Sequence, residues 1–240
     1  MSRVITDAGK IPNHVVIIPD GNRRWARSHS LKPWQGHEAG AKNLEKLVCY
    51  ALKKGIHFLS FWGSSLDNLK KRTLSERRAL LDIYSRYFKK LSESREIYKN
   101  EVRINVIGRW EEQFPNSLKK IIKDGIEKTN HFKKRILNFM LAYSGNDEML
   151  QAIKNIVMNY KPGTKITEAL VKENLMTKNI PAVDYVIRTG GEPHLSNGFM
   201  MWDIADAQLY FSDLNFPDFD EREFEKALDE YARRQRRFGK

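Results

Sequence analysis

The segment His14-Val-Val-Ile-Ile18, followed at once by Pro19-Asp20-Gly21-Asn22-Arg23-Arg24-Trp25, decides the fold class. A short run of β-branched residues that stops at a Pro-Asp-Gly turn is typical of a buried strand. Five more runs of this kind follow, and helix-period stretches separate them. The six predicted strands are His14–Ile18, Ile56–Trp62, Val102–Ile107, Ile136–Leu141, Val183–Ile187 and Gln208–Phe211. This alternation predicts an α/β fold with a six-stranded, mostly parallel sheet flanked by helices.

Amphipathic segments between the strands predict helices. Apolar residues recur at helical spacing within residues 44–52, 118–126, 149–156 and 224–231. The stretch from Leu74 to Tyr98 is longer, and its apolar residues cover more than one stripe. Such a helix is either buried on two sides, as ordinary core packing requires, or lines an apolar space. Because no linker, repeat or composition break interrupts the chain, we expect a single domain over residues 1–240.

Composition narrows the possible partners. Lys and Arg number 42 against 30 Asp and Glu, so the formal net charge is +12. This surplus favours anionic partners such as nucleic acid, an acidic membrane surface or phosphorylated small molecules, although a solvated Lys-rich surface explains it equally well. The lysines are scattered in pairs, which is weak evidence for a nucleic-acid track.

One cysteine, no apolar stretch near the roughly 18 residues of a membrane span and no apolar signal segment predict a cytoplasmic protein. A single cysteine also rules out an intramolecular disulfide and nearly rules out a cysteine-based zinc site.

The turn after the first strand has the composition of a phosphate site. Ligands of open parallel sheets bind at the carboxyl ends of the strands, where Asp20, Gly21 and Asn22 lie. A helix that begins there presents free N–H groups to an anion, and Arg23 and Arg24 can each grip phosphate oxygens with two hydrogen bonds. An acid beside a phosphate indicates a bridging cation, and Mg²⁺ is commonly held by one carboxylate plus substrate phosphates. The alternative is an Asp-Gly turn that caps a helix while the arginines point to solvent.

Two further turns resemble binding turns. Small and hydrogen-bonding residues follow the second strand at 63–68, and Arg188 precedes Gly190-Gly191 after the fifth strand, where glycine allows close backbone approach to a ligand. His37 could donate to a phosphate or simply cap a helix. No dinucleotide or P-loop fingerprint is present, so the phosphates are not expected to belong to NAD or ATP. Phosphate turns beside a long apolar helix suit a substrate with an ionic head and a hydrocarbon tail.

Seven ordered motifs carry a family resemblance. They are HVVIIPDGNRRWA (14–26), GHEAG (36–40), SSLDN (64–68), IRTGGE (187–192), LSN with the following WDIADAQLYF (195–211), PDFD (217–220) and RRFG (236–239). With these motifs the sequence resembles the cis-prenyltransferase family, whose members include undecaprenyl diphosphate synthase. The resemblance spans nearly the whole chain, from His14 to Lys240.

The resemblance implies an enzyme that condenses isopentenyl diphosphate with an allylic prenyl diphosphate. Diphosphate leaves, C4 of isopentenyl diphosphate attacks the allylic carbon, and loss of a proton gives a cis-polyprenyl diphosphate. It also implies Mg²⁺ as cofactor, an apolar tunnel for the prenyl chain, a homodimer in which the RRFG motif reaches the neighbouring site, and peripheral contact of a long-chain product with the membrane. No nucleic-acid partner is expected.

The resemblance also assigns site residues. It implies that Asp20 is the catalytic acid and holds the metal, and that Asn68 helps to remove the proton. The residues implied for substrate binding are Gly21, Asn22, Arg23, Arg24, Trp25, His37, Ser65, Leu66, Asp67, Arg72, Arg188, His194, Leu195 and Ser196.

Several positions depart from the family pattern. They are Gln208 in place of a metal-binding Glu, His194 and Pro33 in place of arginines, Leu69 in place of an aromatic residue, Asp67 in place of Glu, an inserted Gly198, and Asn146 in place of Arg. Two alternatives therefore accompany the main hypothesis: a non-catalytic partner subunit of the same fold, and a divergent enzyme with an unusual prenyl acceptor or product. An intact first turn, with Asp20, Asn22 and Arg24, favours catalysis.

Overall fold

Six strands carry the architecture of the computed structural model, which describes residues 11–234. The RRFG motif (236–239) lies outside the described residues. The strands are β1 (His14–Ile18), β2 (Phe58–Trp62), β3 (Val102–Ile107), β4 (Arg135–Met140), β5 (Tyr185–Arg188) and β6 (Gln208–Phe211). All six coincide with predicted strands to within two residues at each end, because each is a short β-branched or aromatic run bounded by turn residues.

The strand order is β3-β4-β2-β1-β5-β6, and every pairing is parallel. Ile18 at the end of β1 pairs with Arg188 at the end of β5, and Ile17 pairs with Phe61 of β2. The three turns singled out in the sequence therefore open at the same edge of the sheet. This confirms the predicted parallel α/β fold.

Helices connect the strands. They are α1 (Asn22–Ser28), α2 (Pro33–Lys53), α3 (Leu66–Lys71), α4 (Leu74–Ser92), α5 (Arg95–Lys99), α6 (Trp110–Gln113), α7 (Asn116–Thr129), α8 (Gly145–Asn159), α9 (Glu168–Asn174) and α10 (Glu221–Arg233), with a 3-10 turn at Phe216–Asp218. The long apolar stretch predicted over 74–98 forms two helices, because the backbone of Ser94, between α4 and α5, is extended and not helical.

The sheet has two buried faces of unequal size. On the larger face, apolar side chains of α2, α4, α7 and α10 pack against Val15, Ile17 and Phe61. On the smaller face, Val16, Ile18 and Met140 pack mainly against residues 176–204. Helix α8 is tied to that segment, where the Thr177 N–H donates to Glu148 Oε1 at 2.9 Å. Both faces of β1 and β5 are thus covered, whereas the edge strand β6 exposes Leu209 and Phe211.

Candidate active site

The carboxyl edge of β1, β2 and β5 forms a polar pocket of about 640 Å³. Residues from every predicted binding turn line it. The predicted site residues that line this pocket are Asp20, Gly21, Asn22, Arg23, Arg24, His37, Ser65, Asp67, Asn68, Arg72, Arg188 and Ser196. Positions far apart in the sequence therefore meet in one place, as the parallel topology requires.

The first turn is held in a left-handed conformation by glycine. Gly21 has φ of 99° and precedes α1, and a Cβ there would lie 2.4 Å from Asn215 Oδ1. The Phe216 N–H donates to the Asp20 carbonyl at 2.9 Å, and the Gly21 N–H donates to Asp20 Oδ1 at 2.6 Å. The segment after β6 therefore holds the Asp20 backbone, while the Gly21 N–H helps to orient its carboxylate.

An ion pair joins the first and fifth turns. Arg188 Nη2 donates to Asp20 Oδ2 at 2.9 Å, and Arg24 Nη2 lies 3.2 Å from Asp20 Oδ1. Arg188 is 6% exposed, and its Nη1 donates to the His194 carbonyl. Thr189 Oγ1 also donates to the Asp20 carbonyl at 2.7 Å. The two turns predicted to bind separate phosphates thus share one carboxylate, which sets the distance between them.

Two glycines of α2 allow α1 to pack closely against α2. A Cβ at Gly36 would lie 2.0 Å from the Asn22 carbonyl oxygen, and one at Gly40 would lie 2.2 Å from Asn22 Oδ1. Asn22 Nδ2 donates to the Pro19 carbonyl at 2.9 Å, whereas its buried Oδ1 has no hydrogen-bond partner. The GHEAG motif therefore serves packing, since its small residues let Asn22 reach the pocket wall.

Glu76 is a site residue that sequence reasoning missed. Its Oε1 lies 3.3 Å from Arg72 Nε, 3.6 Å from Arg23 Nε and 3.5 Å from His37 Nε2, and the residue is 4% exposed. It lies in the first turn of α4, where its N–H donates to Thr73 Oγ1 at 3.3 Å. The Thr-x-x-Glu spacing signals a helix start, but nothing in it indicates a carboxylate shared by Arg23 of α1, His37 of α2 and Arg72 just after α3.

His37 is neutral in this arrangement. Burial, followed by the positive charges of Arg72 and Arg23, lowers its pKa to about 3. At neutral pH the imidazole therefore carries one N–H and no charge, so it can hydrogen-bond to a diphosphate but adds no positive charge to the pocket.

The second turn caps a short helix that divides its side chains between pocket and core. Ser65 Oγ accepts a hydrogen bond from the Asn68 N–H at 3.0 Å and starts α3. Asp67 and Asn68 then line the pocket, while Leu66 and Leu69 pack against the larger core. The predicted substrate contact of Leu66 is therefore not among the pocket-lining residues.

Three more predicted residues lie beside the pocket rather than in its wall. Trp25 stacks on His29 at 4.2 Å and donates from Nε1 to Asp218 Oδ1 at 2.7 Å, so it anchors α1 from outside. His194 contributes its carbonyl to Arg188 while its ring is exposed. Leu195 packs into the smaller core.

Gln208 lies at the other end of the sheet. It begins β6 and pairs with Tyr185, three residues before Arg188 on β5, which is about 10 Å along a strand. The structure therefore does not bring Gln208 near Asp20 within one chain. Pocket-lining residues outside the predicted set, by contrast, include Arg27, Ser64, Lys71 and Asn197.

The acidic groups of the pocket fit a cation that arrives with a phosphate. Within residues 11–234, no group of three or more His, Cys, Asp or Glu side chains could hold a metal by itself. Asp20 places one carboxylate in the pocket among arginines that would bind phosphate oxygens. One carboxylate plus substrate phosphates is the usual mode of Mg²⁺ binding, so these residues fit that ion.

A second, apolar pocket of about 100 Å³ adjoins the polar one. The two share wall residues Pro19, Asn22, His37 and Gly63. Its remaining lining residues are Gly40, Ala41, Leu44, Glu45, Leu80, Ile83, Tyr84, Tyr87, Phe88, Leu91, Phe139, Leu141 and Phe216. Helix α4 thus lines an apolar space as well as packing in the core, while a tunnel for a long chain stays a prediction.

Comparison with known proteins agrees with this geometry. Residues 18–239 match the family described as "Putative undecaprenyl diphosphate synthase". The chain belongs to this family. A tritrans,polycis-undecaprenyl-diphosphate synthase (geranylgeranyl-diphosphate specific) of Pyrococcus horikoshii is 38% identical over 237 residues, covering 97% of this chain and 89% of its own. An isoprenyl transferase of Aquifex pyrophilus is 38% identical over 231 residues, covering 96% and 97%.

A solved structure of the family has the same fold. The crystal structure of lavandulyl diphosphate synthase from Lavandula x intermedia, in complex with dimethylallyl diphosphate, superposes with a TM-score of 0.87 at 30% identity, covering 96% of this chain and 99% of that one. The resemblance to the cis-prenyltransferases is thereby confirmed. Among the described residues of this family member, no helix is long and apolar enough to cross a membrane.

Proposed function

We propose that the protein transfers an allylic prenyl group to isopentenyl diphosphate. A bond forms between C4 of isopentenyl diphosphate and C1 of the allylic substrate as the allylic C1–O bond breaks. The diphosphate leaves with the bonding electrons, and a proton is lost from C2 to give a cis double bond. The observation that carries the proposal is an arginine-rich pocket around Asp20 that opens directly onto an apolar pocket. An ionic head and a hydrocarbon tail are accommodated side by side.

The arginines would stabilise the leaving diphosphate. Arg23 and Arg24 are exposed at the start of α1, and Arg72 lies across the pocket on the second turn. Fixed cations aimed at the oxygens that gain charge lower the barrier more than they favour the ground state. Asn22 and the neutral His37 would add hydrogen bonds to the same diphosphate.

Isopentenyl diphosphate would bind on the side of the fifth turn. Arg188 is buried, points its guanidinium toward Asp20, and has an Nε without a hydrogen-bond partner. Ser196 lines the same side of the pocket. Because Asp20 links the two turns, the substrates would be held next to each other, which supplies the entropic part of the acceleration.

Asp20 would hold Mg²⁺ together with substrate phosphate oxygens, and the ion would neutralise negative charge on the diphosphate. Asn68 projects from α3 into the pocket and is the proposed aid to proton removal. Since an amide is not a base at neutral pH, the proton would pass from C2 to a diphosphate oxygen, which Asn68 would orient by donating a hydrogen bond.

The test is incorporation of labelled isopentenyl diphosphate by the purified full chain with Mg²⁺. We expect products longer than the primer with at least one of dimethylallyl, geranyl, farnesyl and geranylgeranyl diphosphate, and loss of turnover on chelation. No incorporation with any primer would contradict the proposal. Activity that arises only on adding a second subunit would instead favour the non-catalytic partner, and a product without isopentenyl units would favour an unusual acceptor, to which the exposed His194 ring would contribute.

We also propose a homodimer, supported by an uncovered apolar stripe. Leu150, Ile153 and Val157 of α8 are all exposed and recur at helical spacing. Light scattering is expected to give twice the chain mass, and Ile153→Lys is expected to shift the protein toward monomer because a charge would be buried in the interface. Asn155→Lys, exposed on the same helix, is the matched control. A monomeric wild type would contradict this proposal.

The functional assignment of the RRFG motif depends on that dimer and remains a prediction, as does a metal-binding role for position 208. The cytoplasmic location and the contact of a long-chain product with a membrane surface also remain predictions.

A further inference from the structure

The apolar pocket is small for a growing chain. Its volume is about 100 Å³, less than the roughly 150 Å³ of an apolar cavity that binds benzene. A five-carbon prenyl unit is about the size of benzene. The pocket beyond the shared wall residues therefore has room for about one such unit.

A neck narrows the pocket where β2 ends. Gly63 leaves space there, but the Leu141 side chain occupies it, since a Cβ on Gly63 would lie 2.6 Å from Leu141 Cδ2. The Tyr84 hydroxyl lies 3.4 Å from the same Cβ position and donates to the Gly63 carbonyl at 2.7 Å, which holds α4 against this point. The neck is thus formed by one leucine from the end of β4 and one tyrosine from α4.

Phe139, which lines the pocket, packs among aromatic rings between the sheet and α4. Phe139 lies on β4 two residues before Leu141, on the same face of the sheet. Its ring stacks on Phe61 at 6.2 Å and meets the edge of Phe88 at 4.9 Å. Phe139 and Phe88 both line the pocket, and their contact packs β4 against α4 there.

Ion pairs join α4 to α2 beside the pocket. Arg86 of α4 makes two hydrogen bonds to the Glu38 carboxylate of α2, at 3.1 and 2.6 Å. Lys90 pairs with Glu45 at 2.7 Å one turn further along. These contacts hold α4 on α2, the two helices that line the pocket on one side.

We infer that Leu141 and Phe139 limit the length of the prenyl chain and that this protein makes a short-chain product. The inference rests on the proposed function and adds its product class. It separates this chain from the Pyrococcus relative, whose name specifies an undecaprenyl product. Leu141 is the principal determinant because it fills the space that Gly63 leaves, and Phe139 acts behind it.

The test is the product distribution of the purified full chain with Mg²⁺ and excess isopentenyl diphosphate, analysed by mass spectrometry. With a dimethylallyl or geranyl primer, the wild type is expected to stop well short of undecaprenyl length. Leu141→Ala is expected to lengthen the most abundant product by at least one five-carbon unit. In Gly63→Ala/Leu141→Ala the new methyl group refills the neck, so the product is expected to shorten again. Leu59→Ala removes a buried leucine outside the pocket and should leave the distribution unchanged.

Binding keeps the inference separable from catalysis. Wild-type affinity for geranylgeranyl diphosphate is expected to be no higher than for dimethylallyl diphosphate, while Leu141→Ala should gain at least about tenfold for the longer tail, since each buried CH₂ contributes. Undecaprenyl-length product from the wild type would overturn the inference and leave the proposed function intact. An unchanged distribution in both Leu141→Ala and Phe139→Ala would overturn it too. Absence of any turnover would instead contradict the proposed function, and the tail-length dependence of binding would still decide the role of Leu141.

Discussion

Replacing Asp20 by Asn is expected to lower kcat for prenyl transfer by about 10²- to 10³-fold, the loss seen when one preorganised group that stabilises developing charge is removed. The carboxylate is bound by Arg188 at 2.9 Å and lies 3.2 Å from Arg24. Asn keeps the shape and one oxygen acceptor, so the hydrogen bond from the Gly21 N–H can persist and the turn should fold. What disappears is the negative charge that would hold Mg²⁺ and keep both arginines in place.

The measurement is initial rate against both Mg²⁺ and isopentenyl diphosphate concentration. The lost charge should also raise the Mg²⁺ concentration needed for half-maximal rate, which a purely structural role for Asp20 would not do. Asp206→Asn, an exposed acid outside the pocket, is the matched control. A rate for Asp20→Asn within threefold of wild type, at an unchanged melting temperature, would remove Asp20 from the mechanism.

The fold followed from local patterns because each strand is a short β-branched or aromatic run bounded by turn residues. The β-branched run His14–Ile18 predicted a strand. The parallel strand order then placed Asp20 and Arg188 at one edge of the sheet. The break between α4 and α5 was missed, because apolar periodicity continues through Ser94 and only the backbone turns. Tyr98 belongs to the second helix for that reason.

The site could be predicted by position but not by contact. The turns identified Asp20, Arg24 and Arg188 as neighbours of a ligand, yet not the ion pairs that join all three. Only the three-dimensional packing places the Leu141 side chain in the space beside Gly63. Glu76 carried no signal beyond a helix cap, since what matters about it is which three elements surround its carboxylate.

The Glu76 carboxylate compensates the positive charges of arginines that line the substrate-free pocket. Its carboxylate is buried beside Arg72, whose side chain is 12% exposed, and beside the more exposed Arg23. A bound diphosphate would offer the same two arginines a stronger anionic partner. The carboxylate therefore keeps the guanidinium groups oriented and compensated until a substrate binds, which makes Glu76 a positioning residue.

Glu76→Gln is accordingly expected to destabilise the substrate-free protein by about 3 kcal/mol, because removing one partner of a buried pair leaves the other uncompensated. For a chain of this size that corresponds to a fall in melting temperature of roughly 6–12 °C. Inorganic pyrophosphate should restore part of the loss, so its stabilising effect should be larger in Glu76→Gln than in the wild type. A merely structural defect would give the same pyrophosphate shift in both proteins.

The control is Glu225→Gln, which breaks the partly exposed pair with Lys54 at 2.6 Å and should cost less than about 1 kcal/mol. Kinetics add a second readout: because a diphosphate should bind the uncompensated arginines of Glu76→Gln more tightly, KM for the allylic diphosphate should fall by a matching factor, with a smaller change in kcat. An unchanged KM together with an equal pyrophosphate shift would leave Glu76 as a helix cap. The expected pattern would instead mean that the Glu76 carboxylate prepares the pocket for its substrate. The Thr-x-x-Glu motif that contains it indicates, by itself, only the start of a helix.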